Sequence, residues 1–216
     1  MSEEKWWIEG GEEAKFDEPV NNPTNFLRFW MPEKTERKII FLTDVVKLII
    51  YEHNMRLNGH WRNWCTCLKM LKIPCPLCEA KNVSRYQVAP YSVIDLEEFT
   101  DKKGVKHANQ RRLLMAKSVT YEKLMRQHKK RQEKGQSLVG AVYTVARLSG
   151  KKSCGCGDEF EFEEMVDLKD LQAEKIETAE FDYFKLLKPD KALAEKYASQ
   201  SQVGVLDEGA GDDTPF

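Results

Sequence analysis

Four cysteines lie within fourteen residues of this chain, in the order Cys65-x-Cys67-x7-Cys75-x2-Cys78. The x2 spacing of Cys75-Pro76-Leu77-Cys78 lets both thiolates reach one tetrahedral ion while nearby backbone N–H groups stabilise the sulfurs. This motif predicts a zinc knuckle with one structural Zn²⁺. A redox Cys-x-x-Cys site is the competing interpretation, but it is expected in a βαβ context, and here a hairpin precedes the motif.

The hairpin before the cluster decides which residues complete the site. Asn58-Gly59 separates two β-prone runs, and this dipeptide favours a type I′ turn because both central positions need φ > 0. Residues whose numbers sum to 117 then pair, so His53 faces Trp64, on the sheet face opposite to Cys65 and Cys67. This register favours a site of four cysteines: Cys65, Cys67, Cys75 and Cys78. A β-bulge would shift the register and make His53 the alternative fourth ligand.

The remaining two cysteines, Cys154 and Cys156, fall in a predicted turn over residues 150–158. Two cysteines cannot fill a zinc site, so we expect exposed turn thiols, with a second metal site as the alternative. The acidic N-terminus resembles no secretory signal, and no run of eighteen apolar residues predicts a membrane span. The thiols are therefore expected in a reducing cytoplasm.

The formal net charge of −1 hides three blocks of different sign. Residues 1–25 carry 2 Lys and 7 acids, net −5, and residues 158–216 carry 6 Lys and 17 acids, net −11. Residues 26–157 carry 26 Lys and Arg against 11 acids, net +15. A segment this basic is typical of a domain that binds a polyanion. The alternative is that each block is a solvated surface with a chance bias.

Short β-prone runs recur through the basic segment and predict a mainly β fold. Tyr121, Leu124, Met125 and His128 share one helical face, and Gly135 provides a stop signal. We expect an OB-fold, a small Greek-key barrel, with a zinc-knuckle insertion, one inserted helix and C-terminal helices. The expected division is an acidic arm at 1–24, a core at 25–166 with its zinc subdomain at about 53–80, a helical segment at 167–198 and a disordered acidic tail at 199–216.

Basic and aromatic residues alternate along the basic segment, as they do in proteins that bind single strands. In such proteins the cations bind phosphates and the flat rings stack on bases. About half of the aromatic residues of this segment are nevertheless expected in the core. The candidate nucleic-acid contacts are Arg28, Trp30, Arg56, Trp61, Arg62, Trp64, Lys69, Lys72, Arg85, Tyr86, Tyr91, Arg111, Arg112 and Lys117.

The stretch from His53 through Asn58-Gly59 and Cys65 to Cys75-Pro76-Leu77-Cys78 resembles the zinc-containing helix-destabilising proteins of tailed phages. In that family a histidine, a cysteine and a Cys-x-x-Cys pair bind one zinc ion. The spacing between His53 and Cys65 is one residue shorter than the family pattern, and that to Cys67 is one longer. The resemblance implies an OB-fold whose cleft holds single-stranded DNA. It also implies a location in the cytoplasm of a bacterial host.

The last five residues resemble the acidic tip of bacterial single-stranded DNA-binding proteins, which docks on replication and repair enzymes. Phe216 would fill an apolar pocket while the acids pair with a basic rim. The tip residues concerned are Asp212, Asp213, Pro215 and Phe216. The predicted function is coating and protecting exposed strands during replication, recombination and repair.

A zinc-ribbon RNA-binding or transcription factor is the alternative, although it leaves the tip unexplained. We expect no enzyme, because the acids of the basic segment are scattered rather than clustered for metal ions. The acids of that segment include Asp44, Glu52, Glu79, Asp95, Glu97 and Glu98.

Overall fold

The computed structural model describes residues 8–9, 28–57, 60–80, 83–100, 106–148 and 156–201, with the backbone alone at 8–9, 56–57, 60–64, 100 and 201. The strands are β1 (Ile8–Glu9), β2 (Thr35–Phe41), β3 (Leu48–Leu57), β4 (His60–Thr66), β5 (Ser84–Asp95), β6 (Phe99–Thr100), β7 (Lys106–His107), β8 (Gln110–Lys117), β9 (Ala141–Arg147) and β10 (Glu159–Met165). The helices are α1 (Pro76–Glu79), α2 (Ser118–Gln132), α3 (Leu168–Ala173), α4 (Tyr183–Leu186) and α5 (Lys191–Ser201), with a 3₁₀ helix at Leu68–Leu71.

The expectation of a mainly β protein is confirmed, since antiparallel strand pairs dominate the described residues. No helix in the described part of the chain is long and apolar enough to cross a membrane. Outside the named strands, Arg28 forms an isolated parallel bridge with Leu113.

Two compact units divide the described chain. The first contains residues 8–9, 47–57, 60–80, 83–88 and 183–201, and the second contains 28–46, 89–100, 106–148 and 156–182. The sequence-based division placed the zinc subdomain inside one continuous core and set 167–198 apart. The observed grouping instead joins α4 and α5 to the cysteine-rich hairpin.

In the first unit, β3 pairs with β1, with β4 and with the first half of β5, in each case antiparallel. The hydrophobic cluster of this unit is rich in cysteine and is closed by α5, whose Ala194 and Ala198 are buried against it. The buried members are Met55, Cys65, Cys67, Leu68, Cys75, Leu77, Ala194 and Ala198. Five of these eight side chains are cysteine or alanine, which bury less apolar area than larger residues, so a bound ion would add stabilisation to this core.

β3 and β4 pair antiparallel on either side of Asn58-Gly59, as predicted, although the conformation of these two residues lies outside the described ones. The register of the pair changes along its length. Near the turn, Arg56 pairs with Trp61, which follows the expected sum of 117. Farther from the turn, His53 pairs with Cys65 rather than with Trp64, and the shift falls between His53 and Met55. A β-bulge in β4 therefore corrects the predicted register, which placed His53 on the face opposite to Cys65 and Cys67.

In the second unit, β2 pairs with the second half of β5 on one side and with β9 on the other, and β10 completes this edge. Phe41 of β2 contacts Tyr91 and Tyr143 edge to face, with ring centroids 5.9 and 5.4 Å apart. A second cluster around Ile40 and Ile94 receives Leu168 and Leu171 of α3. The end of β2, the second half of β5 and most of β9 are therefore buried on both faces, as expected where a sheet is covered on both sides, whereas β10 is largely exposed.

The predicted inserted helix is α2, which ends at Gln132. Leu124 and His128 are buried as its apolar face predicts, and Thr120 and Arg131 complete the buried face. Gly135 follows with φ of +68°, the left-handed conformation that glycine adopts without strain.

Candidate metal centre

The β-bulge brings a histidine and a cysteine to the same face of the β3–β4 hairpin. His53 lies opposite Cys65, and the Cys67 backbone N–H donates to the Tyr51 carbonyl at 2.8 Å. Residues that pair across antiparallel strands share a face, and side chains alternate along each strand. His53 and Cys67 therefore point to one side of the hairpin, both fully buried.

The next two cysteines are placed by short helices that follow the hairpin. After the 3₁₀ helix, the chain reverses at Lys72, whose φ of +59° is left-handed. Cys75 is then the N-cap of α1, with Pro76 in the first turn, where its missing N–H costs no hydrogen bond. The Cys78 N–H donates to the Cys75 carbonyl at 3.0 Å, and this single turn directs both sulfurs to the same place.

Four potential ligand atoms meet at this point, from His53, Cys67, Cys75 and Cys78, and all lie within 4.8 Å of one another. The Cys67 and Cys78 sulfurs are 3.5 Å apart, and His53 Nε2 lies 3.3 Å from the Cys75 sulfur and 3.8 Å from the Cys78 sulfur. A tetrahedral ion with bonds of about 2.3 Å to sulfur and about 2.0 Å to nitrogen separates its ligands by roughly 3.5–3.8 Å. The cluster could therefore hold a metal ion with little rearrangement.

Cys65 lies outside this group of four, which departs from the favoured four-cysteine site. Its sulfur contacts the Thr66 carbonyl at 3.8 Å, and its side chain is 1% exposed in the apolar cluster. Burial, reinforced by the neighbouring Cys75, raises the pKa of the Cys65 thiol to about 12, so the thiol stays neutral. The structure thus brings the alternative ligand His53, rather than Cys65, together with Cys67, Cys75 and Cys78. The β-bulge is the physical reason that His53 faces these cysteines.

Burial and a nearby positive charge keep His53 neutral in the cluster. A bound cation would ionise the neighbouring thiols. Burial lowers the pKa of His53 to about 4, and the positive charge of Arg85 acts in the same direction. Burial also raises the pKa of Cys78 to about 12, helped by its hydrogen bond with Cys67. His53 is therefore ready to bind a cation at neutral pH, whereas the thiols must release protons as the ion enters.

A cationic rim of Lys69 and Arg85 borders the cluster. Arg85 pairs with His53 in the β3–β5 ladder and donates to the Cys67 sulfur at 4.0 Å. The charge of Lys69 adds slightly to the lowering of the His53 pKa, which is mainly due to burial, and opposes the rise that burial causes in the pKa of Cys78. Sequence reasoning selected both cations as nucleic-acid contacts but did not place them at the metal ligands.

Among the other candidate nucleic-acid contacts, exposure varies widely. Lys72 is exposed like Lys69 and Arg85, whereas Arg28, Trp30, Tyr86, Arg111 and Lys117 are half-buried. The side chains of Arg56, Trp61, Arg62 and Trp64 lie outside the described ones, as do the tip residues Asp212, Asp213, Pro215 and Phe216.

Two of these candidates are corrected by their burial. Tyr91 is 1% exposed and packs edge to face against Phe41, because β5 is buried on both faces from Val88 to Asp95. Arg112 is 7% exposed, with its guanidinium 5.2 Å from the Phe99 ring centroid and within the field of Asp95. Both side chains belong to the core rather than to a contact surface.

Arg111 is occupied by a segment of its own chain. It donates to the Ala179 carbonyl at 2.9 Å, forms an ion pair with Glu177 at 2.6 Å and stacks over the Phe181 ring at 4.1 Å. The Phe181 N–H donates in turn to the buried Ser92 hydroxyl. Residues 177–181 therefore supply Arg111 with both a carboxylate and an aromatic face.

Cys156 also departs from the expectation of an exposed turn thiol. It is 5% exposed, and its thiol donates to the Met115 carbonyl at 3.5 Å. Cys154, its predicted neighbour in the turn, lies outside the described residues. A cysteine that packs against β8 has a structural role in the core of the second unit.

Sequence reasoning missed Tyr51 and Gln87, which lie beside the rim. The Gln87 amide donates to the Tyr51 hydroxyl at 2.9 Å, and the Arg85 guanidinium lies 4.5 Å from the Tyr51 ring centroid. Side-chain alternation from His53 would have placed Tyr51 on the same face, but this signal needs the correct strand pairing.

Comparisons of the chain with protein-family models, curated proteins and solved structures found no match.

Proposed function

We propose that this protein is a non-enzymatic single-stranded DNA-binding protein whose basic segment holds the strand. The observation that carries the proposal is the net charge of +15 over residues 26–157, between acidic flanks. Lysine and arginine neutralise phosphates and release counterions, which supplies affinity without regard to sequence. The exposed cations Lys69, Lys72 and Arg85 lie on or beside the metal-ligand segment, where they can reach a polynucleotide backbone.

The metal that we propose for the centre is one structural Zn²⁺ ion. Three thiolates and one imidazole are the donors that tetrahedral structural zinc takes, and the four protein ligands leave no open position for catalysis. When bound, the ion would fix the hairpin, α1 and the loop between them. Metal analysis after dialysis should return one zinc per chain, and a protein with no stoichiometric zinc would refute this assignment.

The fold that we propose for the strand-binding core is an OB-fold, as the resemblance to the phage helix-destabilising proteins implies. Its antiparallel strands and inserted helix agree with that architecture in kind. Within this proposal, the acidic tip with Asp212, Asp213, Pro215 and Phe216 recruits replication and repair enzymes. The protein would coat exposed strands and bring these enzymes to them.

A titration with three polynucleotides tests the function directly. The full-length protein is mixed with oligo-dT, oligo-U and duplex DNA of equal length at two salt concentrations. We expect tightest binding to oligo-dT and a marked loss of affinity at the higher salt, because several phosphate contacts release counterions together. Tighter binding to oligo-U would favour the alternative, a zinc-ribbon RNA-binding factor. Failure to bind either single strand at low salt would refute the proposal.

A further inference from the structure

An arginine and a tyrosine form a stacked pair at the border of the metal centre. The Arg85 guanidinium carbon lies 4.5 Å from the Tyr51 ring centroid, which is within the range of a cation–π contact. Arg85 is exposed and Tyr51 is half-buried. The Tyr51 hydroxyl accepts a hydrogen bond from Gln87 at 2.9 Å, which fixes the plane of the ring.

A thiol of the metal centre holds the same guanidinium from a second direction. Arg85 Nη1 donates to the Cys67 sulfur at 4.0 Å, and this interaction raises the pKa of Arg85. Arginine carries five N–H donors on a rigid plane, so one contact to sulfur leaves the others free to act. Among the described side chains, Tyr51 stacks with this guanidinium and Cys67 accepts a hydrogen bond from it.

We propose that Arg85 and Tyr51 form a nucleobase-stacking position, in which Cys67 holds the guanidinium and its outer face receives one base of a single strand. This inference rests on the proposed function and adds a binding position at the metal centre. Flat cationic and aromatic groups stack with every base, because each base presents a π face, so the position tolerates any sequence. The neighbouring charge of Lys69 would attract the adjoining phosphate.

Substitutions at Arg85 and Tyr51 can separate the role of the positive charge from that of the planar side chains. A base on the outer face of Arg85 continues a stack of base, guanidinium and tyrosine ring. Lysine at position 85 would keep the positive charge but lose the plane, so it would not support such a stack. Tyr51→Phe keeps the ring and removes only the hydroxyl that Gln87 orients.

The experiment compares oligo-dT affinity among variants of the full-length, metal-loaded protein. We expect Arg85→Lys, Arg85→Gln and Tyr51→Leu each to weaken binding by about fivefold or more, which is the lower range for loss of one stacked base. Tyr51→Phe should change affinity less than about twofold by the same reasoning. Lys188→Gln, which removes an exposed charge elsewhere in the first unit, serves as the matched charge control.

The salt dependence of the same titrations distinguishes stacking from simple charge attraction. With Arg85→Lys, we expect the affinity to fall while the slope of log affinity against log salt stays at its wild-type value, because the number of neutralised phosphates is unchanged. Cobalt substitution adds a spectroscopic readout. Oligo-dT should shift the thiolate-to-cobalt absorption band of the wild type and leave that of Arg85→Gln unchanged.

Each outcome bears on one proposal or the other. If the wild type does not bind single strands, the proposed function fails, and this inference fails with it. If the wild type binds but Arg85→Lys and Tyr51→Leu bind equally well, the stacking position alone is refuted. A full rescue of affinity by Arg85→Lys would overturn stacking in favour of a phosphate contact. An unmoved cobalt band in the wild type would overturn the contribution of Cys67.

Discussion

Cys65 and Cys67, which are separated by one residue, offer a sharp test of which residues would hold the proposed metal ion. Cys67 contributes a sulfur to the group of four, whereas Cys65 packs in the apolar cluster outside it. Both are buried at 1% exposure or less and face the same side of the hairpin. Replacing each in turn by alanine removes the same atom from nearly the same environment. The two variants therefore differ in the loss of a metal ligand rather than in packing.

Loss of a metal ligand is expected to cost more free energy than loss of packing. Structural zinc contributes about 10–16 kcal/mol of apparent binding free energy at neutral pH, or about 2.5–4 kcal/mol for each of four ligands. Cys67→Ala should therefore weaken metal binding by about 10²–10³-fold. We expect Cys67→Ala to lose its metal at chelator concentrations that leave the wild type loaded, and to unfold at a lower temperature because less binding free energy stabilises the folded state.

Cys65→Ala should keep one metal ion and lose only packing. Removing one buried sulfur costs about 1 kcal/mol, which lowers the unfolding temperature of a small unit by about 4–8 °C. Metal content after dialysis, cobalt absorption bands and thermal unfolding with and without a chelator measure both variants. If Cys65→Ala lost its metal and Cys67→Ala kept one, the ligand assignment and the β-bulge argument would both be wrong.

Further predictions concern the core, a glycine turn and the tail. Tyr91→Ala should destabilise the protein by about 3–5 kcal/mol in a denaturant titration, since Tyr91 is buried; a loss of DNA affinity without loss of stability would contradict this. Gly157→Ala should lower the free energy of unfolding by more than about 2 kcal/mol, because φ is +103° and the new methyl group would collide with Val145. Gly135→Ala, which has open space around the new methyl group, should lower it by only about 1 kcal/mol. Deleting residues 207–216 should leave DNA affinity equal or higher and abolish pull-down of replication enzymes; unchanged pull-down by the truncated protein would refute a role for the tip.

Local signals in the sequence predicted the hairpin and the helix α2 well. Asn58-Gly59 stands at the junction of β3 and β4, and the apolar face of α2 buries Leu124 and His128 as expected. These features depend on backbone conformations that a few neighbouring residues determine. For the same reason, Cys75 and Cys78 could be assigned to one site from their spacing alone.

The fourth ligand could not be derived in the same way, because it depends on a single extra residue in β4. The bulge changes the partner of His53 from Trp64 to Cys65. A one-residue shift moves every side chain of a strand to the other face, so a small local irregularity changes the predicted ligand set. No residue type near Asn63 marks the bulge in the sequence.

Sequence patterns also could not predict which aromatic and cationic side chains are buried. The rule that strand residues alternate between core and surface fails in β5, whose second half is buried throughout, including Tyr91 and Asp95. Arg112 and Arg147 are buried as well, and Arg147 donates to the Met31 carbonyl at 2.8 Å. Whether such residues reach solvent depends on which strands and helices cover them.

The first unit is assembled from two stretches that lie far apart in the chain, and this has a consequence during synthesis. All four candidate metal ligands leave the ribosome early, yet Ala194 and Ala198 of α5, which close the cluster, are made only after residues 89–182. At 5–20 residues per second, the interval is roughly 5–20 s. Throughout it, the nascent chain presents thiols whose apolar cover has not yet been translated. Cells short of the ion would therefore lose newly made copies to oxidation or degradation before they lost finished ones.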